Sequence, residues 1–101
     1  MNFDVLFSSA AQDDLDGIFA YISVTIAAPM AAKDLSNSIH DALDTLSEFP
    51  EAFALCQDEP WILRGVRVMP VKKYRFYYTV SRENREVFIL RVFYYRQDNK
   101  G

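Results

Sequence analysis

The segment from Leu63 to Asp98 constrains the fold more than any other part of the chain. It reads LRGVRVMPVKKYRFYYTVSRENREVFILRVFYYRQD, three runs rich in β-branched and aromatic residues separated by two short polar breaks. A strand sends successive side chains to opposite faces, so each run can bury one face and present the other. In the first run Val66 and Val68 oppose Arg67 and Met69. In the second, Tyr74, Phe76, Tyr78 and Val80 oppose Arg75, Tyr77 and Thr79. In the third, Phe88, Leu90 and Val92 oppose Val87, Ile89, Arg91 and Phe93. The breaks Pro70 to Lys73 and Ser81 to Arg85 suit hairpin turns, with Asn84 the best candidate for a positive φ. The alternation predicts a meander in which Arg67, Arg75 and Arg91 form a row on the face turned away from the rest of the chain. Val87 and Ile89 share that face, so a partner chain is expected to cover part of it.

The first half supplies what packs on the other face. Phe3, Val5 and Leu6 make Asn2 to Phe7 a β-prone run and a first strand. Ser8 and Ser9 are helix N-caps; Ser9 with Gln12 fits a capping box, and Asp13, Asp14 and Asp16 suit the positive end of the helix dipole. Apolar residues at 11, 15, 18, 22 and 26, with Phe19 beside them, keep to one helical face. Pro29 fits the first turn of a second helix, where its missing N–H is no loss. Leu35, Ile39, Ala42, Leu46 and Phe49 continue as an apolar stripe, ended by Pro50. Two helices of about twenty residues joined tightly make an antiparallel hairpin. Glu51 to Pro60 reads as a loop pinned to the core by Phe53, Leu55 and Trp61. The fold class is therefore α+β: an N-terminal strand, a two-helix hairpin, then a three-stranded antiparallel meander, with the helices on one face of the sheet. Residues 1–101 are expected to form a single domain.

Composition removes several functional classes. No run approaches the roughly 18 apolar residues of a membrane span. The N-terminus has no basic stretch before its apolar residues and carries Asp4, unlike a signal peptide. Cys56 is the only cysteine, which excludes an internal disulfide and fits a reducing, cytoplasmic setting. One cysteine and one histidine, His40, do not make a zinc site, and three glycines supply no phosphate loop, so no metal or cofactor is expected. The net charge of −3 conceals an asymmetry: residues 1–60 carry eleven acids and one lysine, residues 61–101 ten basic residues and three acids. That split points to a basic working surface on the C-terminal half, suited to nucleic acid or an acidic partner.

One ordered set of residues runs through the chain: Ala11, Asp14-Leu15, Ile18, Tyr21-Ile22, Leu46 and Phe49-Pro50, then Gly65-Val66-Arg67, Met69-Pro70-Val71, Tyr74-Arg75, Tyr78, Val87, Ile89, Arg91-Val92 and Tyr95-Arg96-Gln97-Asp98. Over essentially its whole length the chain resembles the RelE/ParE superfamily of bacterial toxins from type II toxin–antitoxin modules. The Met-Pro-Val segment and the Arg-Val-x-Tyr-x-Arg-x-Asp ending resemble ParE-type chains more than RelE-type ones. The resemblance implies a cytoplasmic toxin of a plasmid-stabilisation module, without a cofactor, neutralised by a cognate antitoxin in a hetero-oligomer. ParE-like members poison DNA gyrase by binding; on that reading Arg67, Arg75, Tyr77, Arg91, Tyr94 and Arg96 contact the target. RelE-like members are endoribonucleases that cut mRNA on the ribosome. On that reading Arg67, Arg75, Arg96 and Tyr95 surround the scissile phosphate, with Met69 standing where such enzymes carry a second basic residue. A third reading is a toxin fold that has lost its poison activity and serves as an interaction module.

Overall fold

The computed structural model describes residues 2–95. Strand β1 (Asp4–Phe7) leads into helix α1 (Ser9–Ala20), which widens into a π-helical turn (Tyr21–Thr25) before helix α2 (Pro29–Glu48). A loop and a short 3-10 turn (Trp61–Arg64) connect to strands β2 (Arg67–Val71), β3 (Tyr74–Ser81) and β4 (Glu86–Tyr94). The sheet order is β1-β4-β3-β2, with β1 parallel to β4 and the meander antiparallel. A parallel pair needs a long crossover, which the helical hairpin supplies. The α+β architecture read from the sequence is the one observed.

Local chemistry explains the element boundaries. Ser8, in extended conformation, caps α1: its Oγ accepts the Ala11 amide at 3.0 Å and donates to the Leu90 carbonyl at 2.8 Å. The expected Ser9–Gln12 box does not form, because the chain turns into the helix one residue earlier; Gln12 donates to Asp16 instead. Ala11 and Ile22 are buried, with Leu15, Ile18 and Phe19 packed beside them. Ile26 is exposed, contrary to the stripe. Its amide donates to the Tyr21 carbonyl, and that five-residue step rotates the helical face away from the core. On α2, Leu35, Ile39 and Leu46 are buried, but Phe49 has left helical φ/ψ and lies exposed. Pro50 is buried in its place, and its carbonyl accepts the hydroxyl of the fully buried Tyr78 at 2.9 Å.

The strand faces depart from simple alternation in two places. In β4, Arg91 pairs with Tyr77 and Ile89 with Tyr78, so Leu90 has no partner across the ladder. Such a β-bulge reverses the side-chain sense. Val87 and Ile89, expected outside, are fully buried against the helices, whereas Phe88, expected inside, is exposed. In β2 the buried residues are Met69 and Val71, and Arg67 shares their face through its register with Tyr78. Val66 is also buried but lies before the strand, bonded to Trp61 and Cys56, so its orientation does not set the parity of β2.

The loop after α2 is pinned by half-buried Phe53 and buried Cys56; Leu55 remains exposed, contrary to expectation, because it bridges to the edge of β2. Ala54 and Cys56 bond to Val68 and Val66, and Pro70 offers no N–H, so that sheet edge has few open donors. In the last hairpin the left-handed residue is Arg85 (φ 56°) and not Asn84, whose amide bonds to the Ser81 hydroxyl.

Candidate docking face and groove

The register divides the predicted functional residues between two faces of the sheet. Cross-strand partners share a face. Arg75 pairs with Pro70 and Phe93, and Tyr77 with Val68 and Arg91, which sets Arg75, Tyr77 and Arg91 on the outer face. There Trp61 stacks on Tyr77 with ring centres 5.4 Å apart, and Tyr77 meets Phe93 edge-on at 5.7 Å. The Arg75 guanidinium lies 4.0 Å from the centre of the Tyr95 ring, while its Nη1 donates to the Tyr74 carbonyl at 3.0 Å. The result is an aromatic row, Trp61–Tyr77–Phe93, bordered by a guanidinium on an exposed tyrosine. Burial raises the Tyr77 hydroxyl above its usual range, and the neighbouring Cys56 and Asp58 add to that, so Tyr77 stays a neutral hydrogen-bonding group.

Arg67 is not part of this face. It lies on the helix side, where Nη1 donates to the Phe53 carbonyl at 2.7 Å and Nη2 approaches Glu51 at 3.9 Å. Glu51 also holds Arg82, whose hydrogen bond lowers the Glu51 carboxyl below its usual range. The expected outward row of three arginines is thus a pair, because Arg67 carries the parity of Met69 and Val71. Met69, in the position of a second basic residue, is a fully buried core residue.

Arg91 sits over Phe93 at 4.6 Å, yet its charge is already engaged. Nε and Nη2 donate to the two carboxylate oxygens of Asp14 at 2.8 and 3.0 Å, and Asp14 Oδ2 also accepts the Val92 amide at 2.9 Å. Hydrogen bonding from Arg91 and then from Val92 holds the Asp14 carboxyl below its ordinary value, against the opposing effect of its burial. Sequence reasoning missed this role for Asp14; the signal was an acid on the inner helix face, one position before Leu15.

Tyr94 belongs to the helix side as well, pairing with Tyr74 edge-on at 5.6 Å. It opens onto a groove of about 1140 Å³ between the two helices and the ends of β3 and β4. Ile18, Ile22 and Leu35 form its floor, and exposed Tyr21, Ile26 and Tyr94 its lip. Arg96 lies outside the described residues. Among the described residues no cluster of three or more His, Cys, Asp or Glu side chains could hold a metal, and no helix is long and apolar enough to cross a membrane.

The architecture is a parallel β1–β4 pair closed by a helical hairpin and continued by an antiparallel meander. Two solved structures share it: the chromosomal ParDE toxin–antitoxin system of P. aeruginosa and the RelBE2 toxin–antitoxin complex of Mycobacterium tuberculosis. The first matches at TM-score 0.70 and 23% identity, covering 93% of this chain and 97% of the other. The second matches at TM-score 0.68 and 23% identity, covering 97% of this chain and 95% of the other. No curated protein matches the sequence. A family model described as the ParE toxin of the type II toxin–antitoxin system, parDE, matches residues 5–99. The chain belongs to the ParE toxin family, and is the toxin of a type II toxin–antitoxin module.

Proposed function

We propose that this toxin acts in the cytoplasm by binding DNA gyrase through the outer face of its sheet, and that a cognate antitoxin holds it inactive in a hetero-oligomer. The observation that carries this reading is the separation of Arg67 from Arg75 by the sheet itself. Cutting RNA at its 2′-hydroxyl needs a base, a cation on the phosphorane and an acid around one phosphate. Arg67 is bound to Phe53 and Glu51 on the far side, and the Met69 position holds a buried thioether. An arginine is also a poor base, since it stays protonated. What remains outside, Arg75, Tyr77, Phe93 and Tyr95 with Trp61, has the composition of a protein-docking patch, where aromatic residues and arginine carry most of the affinity.

The contact of Arg75 with Tyr95 is the one feature that favours the RelE-like endoribonuclease. The two activities separate in one pair of assays. Purified toxin should inhibit supercoiling by DNA gyrase and leave mRNA intact on translating ribosomes. Cleavage of ribosome-bound mRNA with undisturbed supercoiling would reverse the assignment, and the absence of both effects would favour an inactive interaction module.

A further inference from the structure

The outer face of the sheet carries opposite charge at its two ends. Val5 and Phe7 pack on the core, so Asp4 and Leu6 point outward. Asp4 stands directly opposite Glu86 in the β1–β4 register, with Ser81 next in the row. Like charges placed this way repel, and among the described residues neither acid has an ion-pair partner. At the other end Arg75 donates to the Tyr74 carbonyl and lies over Tyr95, again with no carboxylate partner among the described residues. Between the ends the face is apolar. Leu6 and Phe88 are register partners left 38% and 41% exposed, and Phe93, edge-on to Tyr77, is 38% exposed. Arg91 also belongs here, but Asp14 holds its charge.

We propose that this face is self-complementary and that two copies of the free toxin pair through it about a two-fold axis. In such a contact residue i of one copy meets residue j of the other, and j meets i. The charges select the axis. A two-fold running across the strands sets Asp4 and Glu86 of each copy toward Arg75 of the other, whereas one running along the strands would oppose like ends. Glu86 and Arg75 lie on neighbouring strands, a lateral offset of about 5 Å that an arginine side chain spans. The exposed Leu6, Phe88 and Phe93 then meet across the middle, as the inner faces of two aligned sheets do. Four strands by roughly 20 Å of strand length give each copy about 400 Å² in plan, which belongs to small, reversible interfaces. On the gyrase reading above, a second copy and the target compete for one surface.

The test measures the mass of the full-length toxin, free of antitoxin, by sedimentation equilibrium, with each variant confirmed folded by its melting temperature. Wild type should pass from monomer to dimer within about 1–100 μM, and added salt should weaken the association. Asp4→Lys/Glu86→Lys makes both ends basic and Arg75→Glu makes both ends acidic. Each should self-associate roughly tenfold or more weakly. Mixed in equal amounts, the two should pair with each other at near wild-type strength, because every charged contact across the two-fold is again between opposite signs. Asp4→Asn/Glu86→Gln should melt above wild type when dilute, since the repulsion between β1 and β4 is gone, and yet dimerise more weakly. A wild type that stays monomeric throughout would overturn the proposal and leave the gyrase reading standing. A dimer unaffected by these variants, or charge-reversed variants that fail to pair when mixed, would overturn it as well.

Discussion

Asp14 grips Arg91 with both carboxylate oxygens and takes the Val92 amide on the same Oδ2, so one helical side chain closes the edge of β4 where β1 has run out. Ser8, the N-cap six residues earlier, also bonds this edge, its amide donating to the Ile89 carbonyl and its hydroxyl to the Leu90 carbonyl. β1 ends at Phe7 and pairs only as far as Ile89, so these two side chains take over where that ladder stops. Fixing this edge fixes Arg91 and Phe93 on the outer face.

Removing that clamp should loosen the sheet edge. Asp14→Ala leaves the Val92 amide without a partner, a loss of about 1–3 kcal/mol. Asp14→Asn keeps an acceptor for the amide and should cost less. Denaturant unfolding of the two variants checks the order, and equal losses would mean that the amide contact contributes little.

The same contact sets an acid limit. The Asp14 carboxyl is lowered by its hydrogen bonds from Arg91, and Glu51 by its bond from Arg82. A depressed carboxylate contributes stability above its unfolded pKa of about 4, and that contribution is lost as pH falls through the folded value. Thermal unfolding should therefore show a melting temperature steady near neutrality and falling below about pH 4. The fall should be shallower in Asp14→Asn.

The bulge itself can be tested by truncating neighbours. Ile89→Ala should destabilise by about 2–5 kcal/mol, because Ile89 is fully buried. Phe88→Ala, from an exposed position, should stay within about 1 kcal/mol. Strict alternation from the sequence would give the reverse ranking.

These residues also mark where the sequence was readable. The helical hairpin followed from spacing and proline: Leu35, Ile39 and Leu46 recur on one face, and Pro29 opens α2 where a missing N–H is harmless. The meander followed from its runs and breaks. What alternation could not supply was a single unpaired residue, Leu90, which carries no special chemistry and yet inverts Val87, Phe88 and Ile89. The face of Arg67 was hidden similarly. Arginine is usually exposed, and nothing local announces that Glu51 and the Phe53 carbonyl wait for it across a loop. Tyr94 went to the groove because it keeps the parity of Val92 beyond the bulge. Arg75 and Tyr77 were placed on the outer face by their strand alone, since alternation along β3 is unbroken from Tyr74 to Val80.

Trp61 offers a reporter that separates the two surfaces. It is the only tryptophan and stacks on Tyr77; neither ring lines the groove, although Tyr77 meets Phe93, which does. A ligand covering the outer face should shift its emission, whereas a ligand confined to the groove should leave it nearly unchanged. Titration with purified gyrase subunits and, separately, with the antitoxin reads this directly. An emission shift of equal size for both would argue that the antitoxin covers the outer face too.

The most direct test of the docking face compares two arginines on opposite sides of one sheet. Gyrase supercoiling is measured with wild-type toxin, Arg75→Ala and Arg67→Ala, each confirmed folded by its melting temperature. The outer face as docking surface predicts that Arg75→Ala abolishes inhibition at unchanged stability, while Arg67→Ala is less stable but still inhibits in its folded fraction. Full inhibition by Arg75→Ala, with loss confined to folded Arg67→Ala, would contradict it.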